Sequence, residues 1–181
     1  MRYDETVTLK DGTELHMRNG VESDARAVYE NVRRTHSETD YLLSYPDEQI
    51  HDIDHESLLL KKAEESDNEI EIVALTDEEI VGTASVKAVG SNYKVRHRAE
   101  CGISVLRKHW GSGIGRALMS ACIDCARRAG YAQLELEVVA DNVRAISMYK
   151  NAGFEEYGRN PQGYNSRSTG FQELVYMRLE L

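Results

Sequence analysis

The chain has 181 residues, 41% of them hydrophobic, and a formal charge of -9 at pH 7. That length and apolar content suit one domain with a sizeable core, and the acidity argues against nonspecific attachment to nucleic acid or to an anionic membrane. No apolar run is long enough to cross a bilayer, the opening "MRYDETVTLKDG" lacks a secretory leader, and three cysteines make no disulfide scaffold, so a reduced cytoplasmic setting is expected.

Alternation in Thr6–Leu9 and Thr13–Arg18 around "KDG" predicts a hairpin. "ESDARAVYENVRRTH" follows as a helix, with Ser23 as a possible N-cap and Val28 and Val32 on its apolar stripe. A turn at "YPDEQI" precedes a charged helix over roughly 48–67, in which Ile50, Ile53, Leu58 and Leu59 could pack. "EIEIVAL" and "EIVGTASVKAV" predict antiparallel strands around a turn at Asp77, and a further strand spans 98–106. Ile114, Leu118, Cys122 and Ala126 carry helical spacing over 113–129. "AQLELEV" alternates as a strand, "DNVRAISMYKNAG" is a short helix ended by Gly153, and "FEEYG" and "FQELVYMRLEL" are terminal strands. The intervening residues 158–170 are polar and rich in turn formers, either a loop over a substrate opening or a plain flexible hairpin loop.

The stretch "HWGSGIGRALM" places three glycines between a strand and a helix. Amides of Gly111, Ser112, Gly113, Ile114 and Gly115 would lie near the unpaired end of that helix, where phosphate oxygens are held by N–H donors and a local positive potential. Arg116 either adds a charged contact or reaches solvent. Close packing of turn against helix is the alternative, since neither GxxxxGK[ST] nor GxGxxG is present.

Taken with the later "VVADNVRAISMYKNAGFEEYG", this stretch resembles the GCN5-related N-acetyltransferase (GNAT) superfamily. The resemblance implies a single α+β domain over 1–181, with a mostly antiparallel twisted central sheet flanked by helices, and acetyl-CoA held chiefly by residues 98–158. It implies direct acetyl transfer to a primary amine of a small molecule or of a peptide or protein, without a covalent enzyme intermediate or a metal. A homodimer is possible, and a noncatalytic acyl-CoA-binding module is the alternative. Trp110 stands where the family loop often begins with Gln or Arg, and packing against the turn is its expected role.

Tyr149 matches the helix tyrosine that would protonate the departing thiolate. Asn142 would bind the pantetheine arm or cap the helix, Arg144 would touch a phosphate or remain solvated, and Ala145 would permit close approach. A backbone amide in Ile103, Ser104 or Val105 would hold the oxyanion. Glu100 is preferred as base over Glu137: the resemblance places it where some members of the superfamily carry a functional glutamate, and Glu100, Gly102 and Ser104 share one face of an extended segment. His51 with His55, and Cys122 with Cys125, fall short of a metal site.

Overall fold

The first hairpin forms as its alternation dictates. In a computed structural model describing residues 1–48 and 52–181, β1 (Asp4–Thr8) pairs antiparallel with β2 (Glu14–Asn19). A 3-10 turn over Glu22–Asp24 leads into α1 (Ala25–Glu38). Ser23 does not cap this helix. Asp24 stands at the junction instead, its carboxylate gripped by Arg18 at 2.6 and 2.9 Å and accepting from the Val21 N–H at 2.9 Å. A guanidinium fork holds a carboxylate there more firmly than a serine hydroxyl could be held.

α2 (Ile53–Glu65) is shorter than the expected 48–67, and Asp52 caps it by accepting from the His55 N–H at 2.9 Å. Its buried stripe is narrow. Ile53 and Leu60 pack, whereas Leu58 and Leu59 stay 65% and 43% exposed, against the sequence expectation. Leu60 lies so close to Gly20 that a Cβ there would meet its Cδ2 at 2.7 Å, so only glycine permits this seating. Ile50 and His51 lie outside the described residues.

β3 (Ile70–Thr76), β4 (Glu79–Ala88), β5 (Arg98–Val105), α3 (Ile114–Arg128), β6 (Gln133–Val139), α4 (Val143–Asn151), β7 (Glu155–Ser166) and β8 (Gly170–Glu180) complete the chain. The eight strands form one sheet in the order β1-β2-β3-β4-β5-β6-β8-β7, antiparallel except between β5 and β6. This is the expected α+β architecture.

The two sheet faces are covered differently. Ile114, Leu118, Cys122 and Ala126 of α3 bury against β2–β6, with Ala145, Ile146 and Tyr149 of α4 alongside. Each fully buried leucine there contributes about 1.5–3 kcal/mol relative to exposure. Ala25, Val28, Leu60, Val73 and Ile80 form the smaller cluster under α1 and α2 on the opposite face.

Residues 158–170 are not a long loop. β7 continues through Ser166 and pairs with β8, leaving a tight turn at 167–169. Register shifts between Glu156 and Gly158 and between Asn160 and Tyr164 absorb the irregular residues. β7 is an edge strand, where a proline and polar side chains on both faces cost no ladder bonds, and this is why the stretch reads as a loop.

Candidate active site

The parallel pair β5–β6 opens into a wedge. The strands pair only from Arg98–Gln133 to Glu100–Glu135, although β5 runs on to Val105 and β6 to Val139. Leu106 N–H donates to Val81 at 2.9 Å and Val89 N–H to Arg98 at 3.1 Å. With the β4–β5 register, strand alternation turns the Gly102 and Ser104 amides toward β4 and those of Ile103 and Val105 toward the gap. Ser104 is therefore corrected as an amide donor, because β4 takes its N–H. Its hydroxyl instead meets Thr83 Oγ1 at 3.2 Å. Trp110 closes one end of the gap by donating its indole N–H to the Val105 carbonyl at 2.8 Å, while its ring stays partly exposed between Arg107 and Arg144.

Beyond Trp110 the chain enters left-handed backbone at Gly111 (φ +86°) and Gly113 (φ +109°). Gly113 caps α3, and the Ala117 N–H reaches back to its carbonyl at 3.0 Å. The amides of Gly115 and Arg116 precede that bond and have no helical acceptor, while Ile114 N–H makes only a 3.5 Å contact with Ser112 Oγ. Ser112 turns both its hydroxyl, at 2.7 Å, and its N–H, at 3.3 Å, to the His109 carbonyl, so its amide is corrected as a phosphate donor. A Cβ on Gly115 would meet Met148 Sδ at 3.4 Å, which places α4 directly beside the loop. Several unpaired N–H groups with no side chain above Gly111 match the needs of a diphosphate.

On α4, Asn142 Oδ1 accepts from the Ala145 N–H at 3.3 Å, so the capping role is present. Arg144 is exposed and its guanidinium lies 5.6 Å from the Trp110 ring. Tyr149 packs 6.0 Å from Phe154, and burial pushes its phenol up, with the Cys101 and Cys122 thiols adding to the effect. The hydroxyl stays protonated and able to donate. Burial also pushes the Cys101 thiol up to about 12 and the Cys125 thiol up to about 11, which makes them inert.

Glu100, Glu135 and Glu137 share the face turned toward α1 and α2, with different partners. Arg98 binds Glu135 bidentately, Nη2 to Oε2 at 2.7 Å, and holds its carboxyl below the ordinary range. Glu100 and Glu137 are exposed. Partial desolvation at the edge of the gap still raises the Glu137 carboxyl, and the neighbouring Glu100 charge raises it further. Glu100 lies in the paired part of β5, while Glu137 lies past the divergence and so flanks the wedge. On the same face the half-buried Glu71 is pushed up to about 7, mainly by burial.

Sequence reasoning missed a strap across this side. The segment after α1 is tied to the β7–β8 turn by Arg167 N–H donating to Tyr45 Oη at 2.9 Å, and Tyr45 Oη in turn donates to Asp40 of its own segment at 2.7 Å. Ser166 and Ser168 hydroxyls also donate to Asp40, and Arg167 binds Asp47 at 2.8 Å. The partners that join the segment to the turn stand more than a hundred residues apart, so no local pattern could reveal them. Among the described residues no group of three or more His, Cys, Asp or Glu could hold a metal, and no helix is long and apolar enough to cross a membrane.

Comparison with known proteins decides the family. The profile of the Acetyltransferase (GNAT) family matches residues 26–154. The chain belongs to this family. A GNAT acetyltransferase structure from Streptococcus pneumoniae superposes with a TM-score of 0.88 at 25% identity, covering 92% of this chain and 99% of that one. The acetyltransferase yncA from Salmonella typhimurium, determined with its cofactor acetyl-CoA, shares the GNAT fold at a TM-score of 0.80 and 24% identity, covering 92% and 94%. Streptothricin acetyltransferase of Streptomyces lavendulae is 30% identical over 65% of this chain. The ribosomal protein bS18 alanine N-acetyltransferase of Escherichia coli is 36% identical over 38% of this chain. The matches span only 61% and 46% of those two relatives.

Proposed function

We propose that this GNAT protein transfers the acetyl group of acetyl-CoA directly to a primary amine, without a covalent enzyme intermediate or a metal, in a reducing cytoplasmic setting. The observation that carries this reading is the adjacency of three features. The unpaired amides of Gly115 and Arg116 lie beside α4, α4 carries Tyr149, and the wedge next to it is lined by free N–H groups of Ile103 and Val105. The loop from Gly111 to Arg116 would hold the diphosphate, and the α4 entrance at Asn142 and Ala145 would border the pantetheine arm.

An alkylammonium acceptor must lose a proton first, at a cost of about 4.6 kcal/mol at pH 7. Glu137 accepts that proton, directly or through water, with the Glu100 charge increasing its affinity for it. The freed nitrogen lone pair forms the bond to the carbonyl carbon, and the carbonyl oxygen's growing charge is met by the Ile103 or Val105 N–H. As the oxyanion collapses and the carbon–sulfur bond breaks, Tyr149 gives its hydroxyl proton to the leaving thiolate; the nitrogen sheds its second proton to water, and Tyr149 is reprotonated from solvent. Glu71, Glu100 and Glu137 outnumber Lys87, which stands opposite Glu100 on the same face, and this balance favours an acceptor that arrives as a cation. Small-molecule amines and peptide or protein amines both meet that requirement, and the names of the relatives include one of each kind.

The test is a mass-resolved acetyl-transfer screen over polyamines, small amines and peptides, with CoA release followed in parallel. Acetylated amine and CoA should appear in equal amounts. Acetyl-CoA binding without product across the panel would reassign the chain as a noncatalytic acyl-CoA-binding module, and no binding would remove the cofactor site.

A further inference from the structure

We infer that Glu38, the last residue of α1, couples the loop from Gly111 to Arg116 to the strap tied to the β7–β8 turn, so that seating the cosubstrate tightens the strap. The inference rests on that loop being the diphosphate seat. It makes Glu38 a positioning residue that touches neither the cosubstrate nor the acceptor.

On the loop side, the two carboxylate oxygens of the half-buried Glu38 are divided between two elements. Arg34 of the same helix donates its Nε–H to Oε1 at 3.3 Å, while Oε2 accepts the Arg107 N–H at 2.6 Å across 69 residues of sequence. Arg107 Nη1 also donates to the Glu38 carbonyl at 3.5 Å. Arg107 opens the 3-10 turn Arg107–His109, which runs through Trp110 directly into Gly111. A charge-assisted bond to its first N–H fixes that turn against α1. The linkage continues to the wedge, because the Arg107 guanidinium lies 5.8 Å from the Trp110 ring and the indole N–H is bound to the Val105 carbonyl.

On the other side, Glu38 leads into the strap. Among the described residues no backbone–backbone hydrogen bond joins residues 40–48 to another segment. Side chains hold the far end instead. Asp40 accepts from the Ser166 and Ser168 hydroxyls, and Arg167 binds Asp47 while its guanidinium lies 4.2 Å from the Tyr45 ring. A segment tied at its ends, with no ladder of its own, opens locally at low cost and is the kind of element a ligand can bias. Its far end lies beside the proposed base. Ser166 follows Tyr164 by two residues, and burial pushes the Tyr164 phenol up, with the Glu137 charge adding to the effect. When the loop closes on a diphosphate, the Arg107 turn and Glu38 are fixed with it, and Asp40 is presented to the Ser166 and Ser168 hydroxyls. The effect runs equally in reverse, because coupling between two sites is reciprocal.

Hydrogen exchange read by mass spectrometry follows both ends at once, with CoA as the probe. In the intact protein CoA should slow exchange in 107–117 and also, by about five-fold or more, in 40–48 and 164–170. Glu38→Ala should keep the first protection and lose the second. Glu38→Gln retains an oxygen for the Arg107 N–H and should restore the response of the strap. Asp40→Ala cuts the far end, outside the loop, and by reciprocity should weaken CoA binding roughly two- to five-fold in calorimetry. Three results would overturn the coupling while leaving the diphosphate seat in place: a protected loop with an unresponsive strap in the intact protein, a strap response that survives Glu38→Ala, or CoA affinity unchanged by Asp40→Ala. No CoA binding by the intact protein would remove the seat and the coupling together.

Discussion

Replacing Gly113 with alanine tests the loop where its geometry is least forgiving. Gly113 has φ +109° and ψ -8°, and an alanine held there carries about 1–2 kcal/mol of backbone strain. The new methyl would meet nothing closer than Leu9 Cδ2 at 3.7 Å, an ordinary contact, so the cost is conformational and not steric. That strain has two places to appear. If the loop keeps its shape, Tm falls by about 2–4 °C for each kcal/mol in a domain of this size. If the loop relaxes in the free protein, the strain is met on binding, where about 1.4 kcal/mol weakens affinity tenfold. Thermal unfolding without ligand and calorimetry with acetyl-CoA should therefore show losses that sum to about 1–2 kcal/mol. Gly115→Ala is the internal control. Gly115 lies in the first turn of α3 without a positive φ, its Cβ would touch the movable thioether of Met148, and alanine there should be neutral or stabilising by up to about 1 kcal/mol. A Gly113→Ala protein unchanged in both Tm and affinity would refute the reasoning.

Tyr149→Phe should lower kcat about ten-fold or more while acetyl-CoA binding, measured by calorimetry, stays close to the original, and unchanged turnover across pH would reject the acid role. Glu137 must be ionised to accept a proton, so kcat/KM should fall as pH drops through its raised pKa. Glu100→Gln removes the adjacent charge, lowers that pKa and should move the acidic limb to lower pH, and a limb that stays or moves upward contradicts the pairing. Arg98→Gln leaves the Glu135 carboxylate, 7% exposed, without its charged partner and with the neutral Gln133 amide still donating to it at 2.9 Å, at a cost of about 1–3 kcal/mol at neutral pH after allowing for the partly exposed Arg98. In the native pair the folded Glu135 pKa is depressed, so its stabilisation is complete above the unfolded carboxylate pKa and is lost as pH falls through the lower folded value. Urea unfolding should therefore show the gap between variant and native protein narrowing on acidification.

Local pattern revealed most of the fold and only part of the site. The helix of α3 was legible because Ile114, Leu118, Cys122 and Ala126 repeat at helical spacing and all bury. The loop was legible because glycines between a strand and a helix have few structural uses. Leu58 and Leu59 misled because hydrophobicity says nothing about which stripe faces the sheet, and Leu60 won that position through its fit to Gly20. The part of the edge strand β7 beyond "FEEYG" read as a loop because edge positions tolerate the residues that mark turns. Ser104 shares a face with Glu100, as alternation suggests, but which amides are spent on β4 depends on register, and register is not written in one strand. The Asp40–Tyr45–Arg167 strap and the Glu38–Arg107 contact arise only when distant segments meet.

The most direct measurement is a crystal structure of the protein grown with acetyl-CoA. The account predicts diphosphate oxygens within about 3 Å of amide nitrogens between Gly111 and Arg116, and the thioester in the gap between β5 and β6 beside Tyr149. Ordered acetyl-CoA at any other place on the molecule would contradict it.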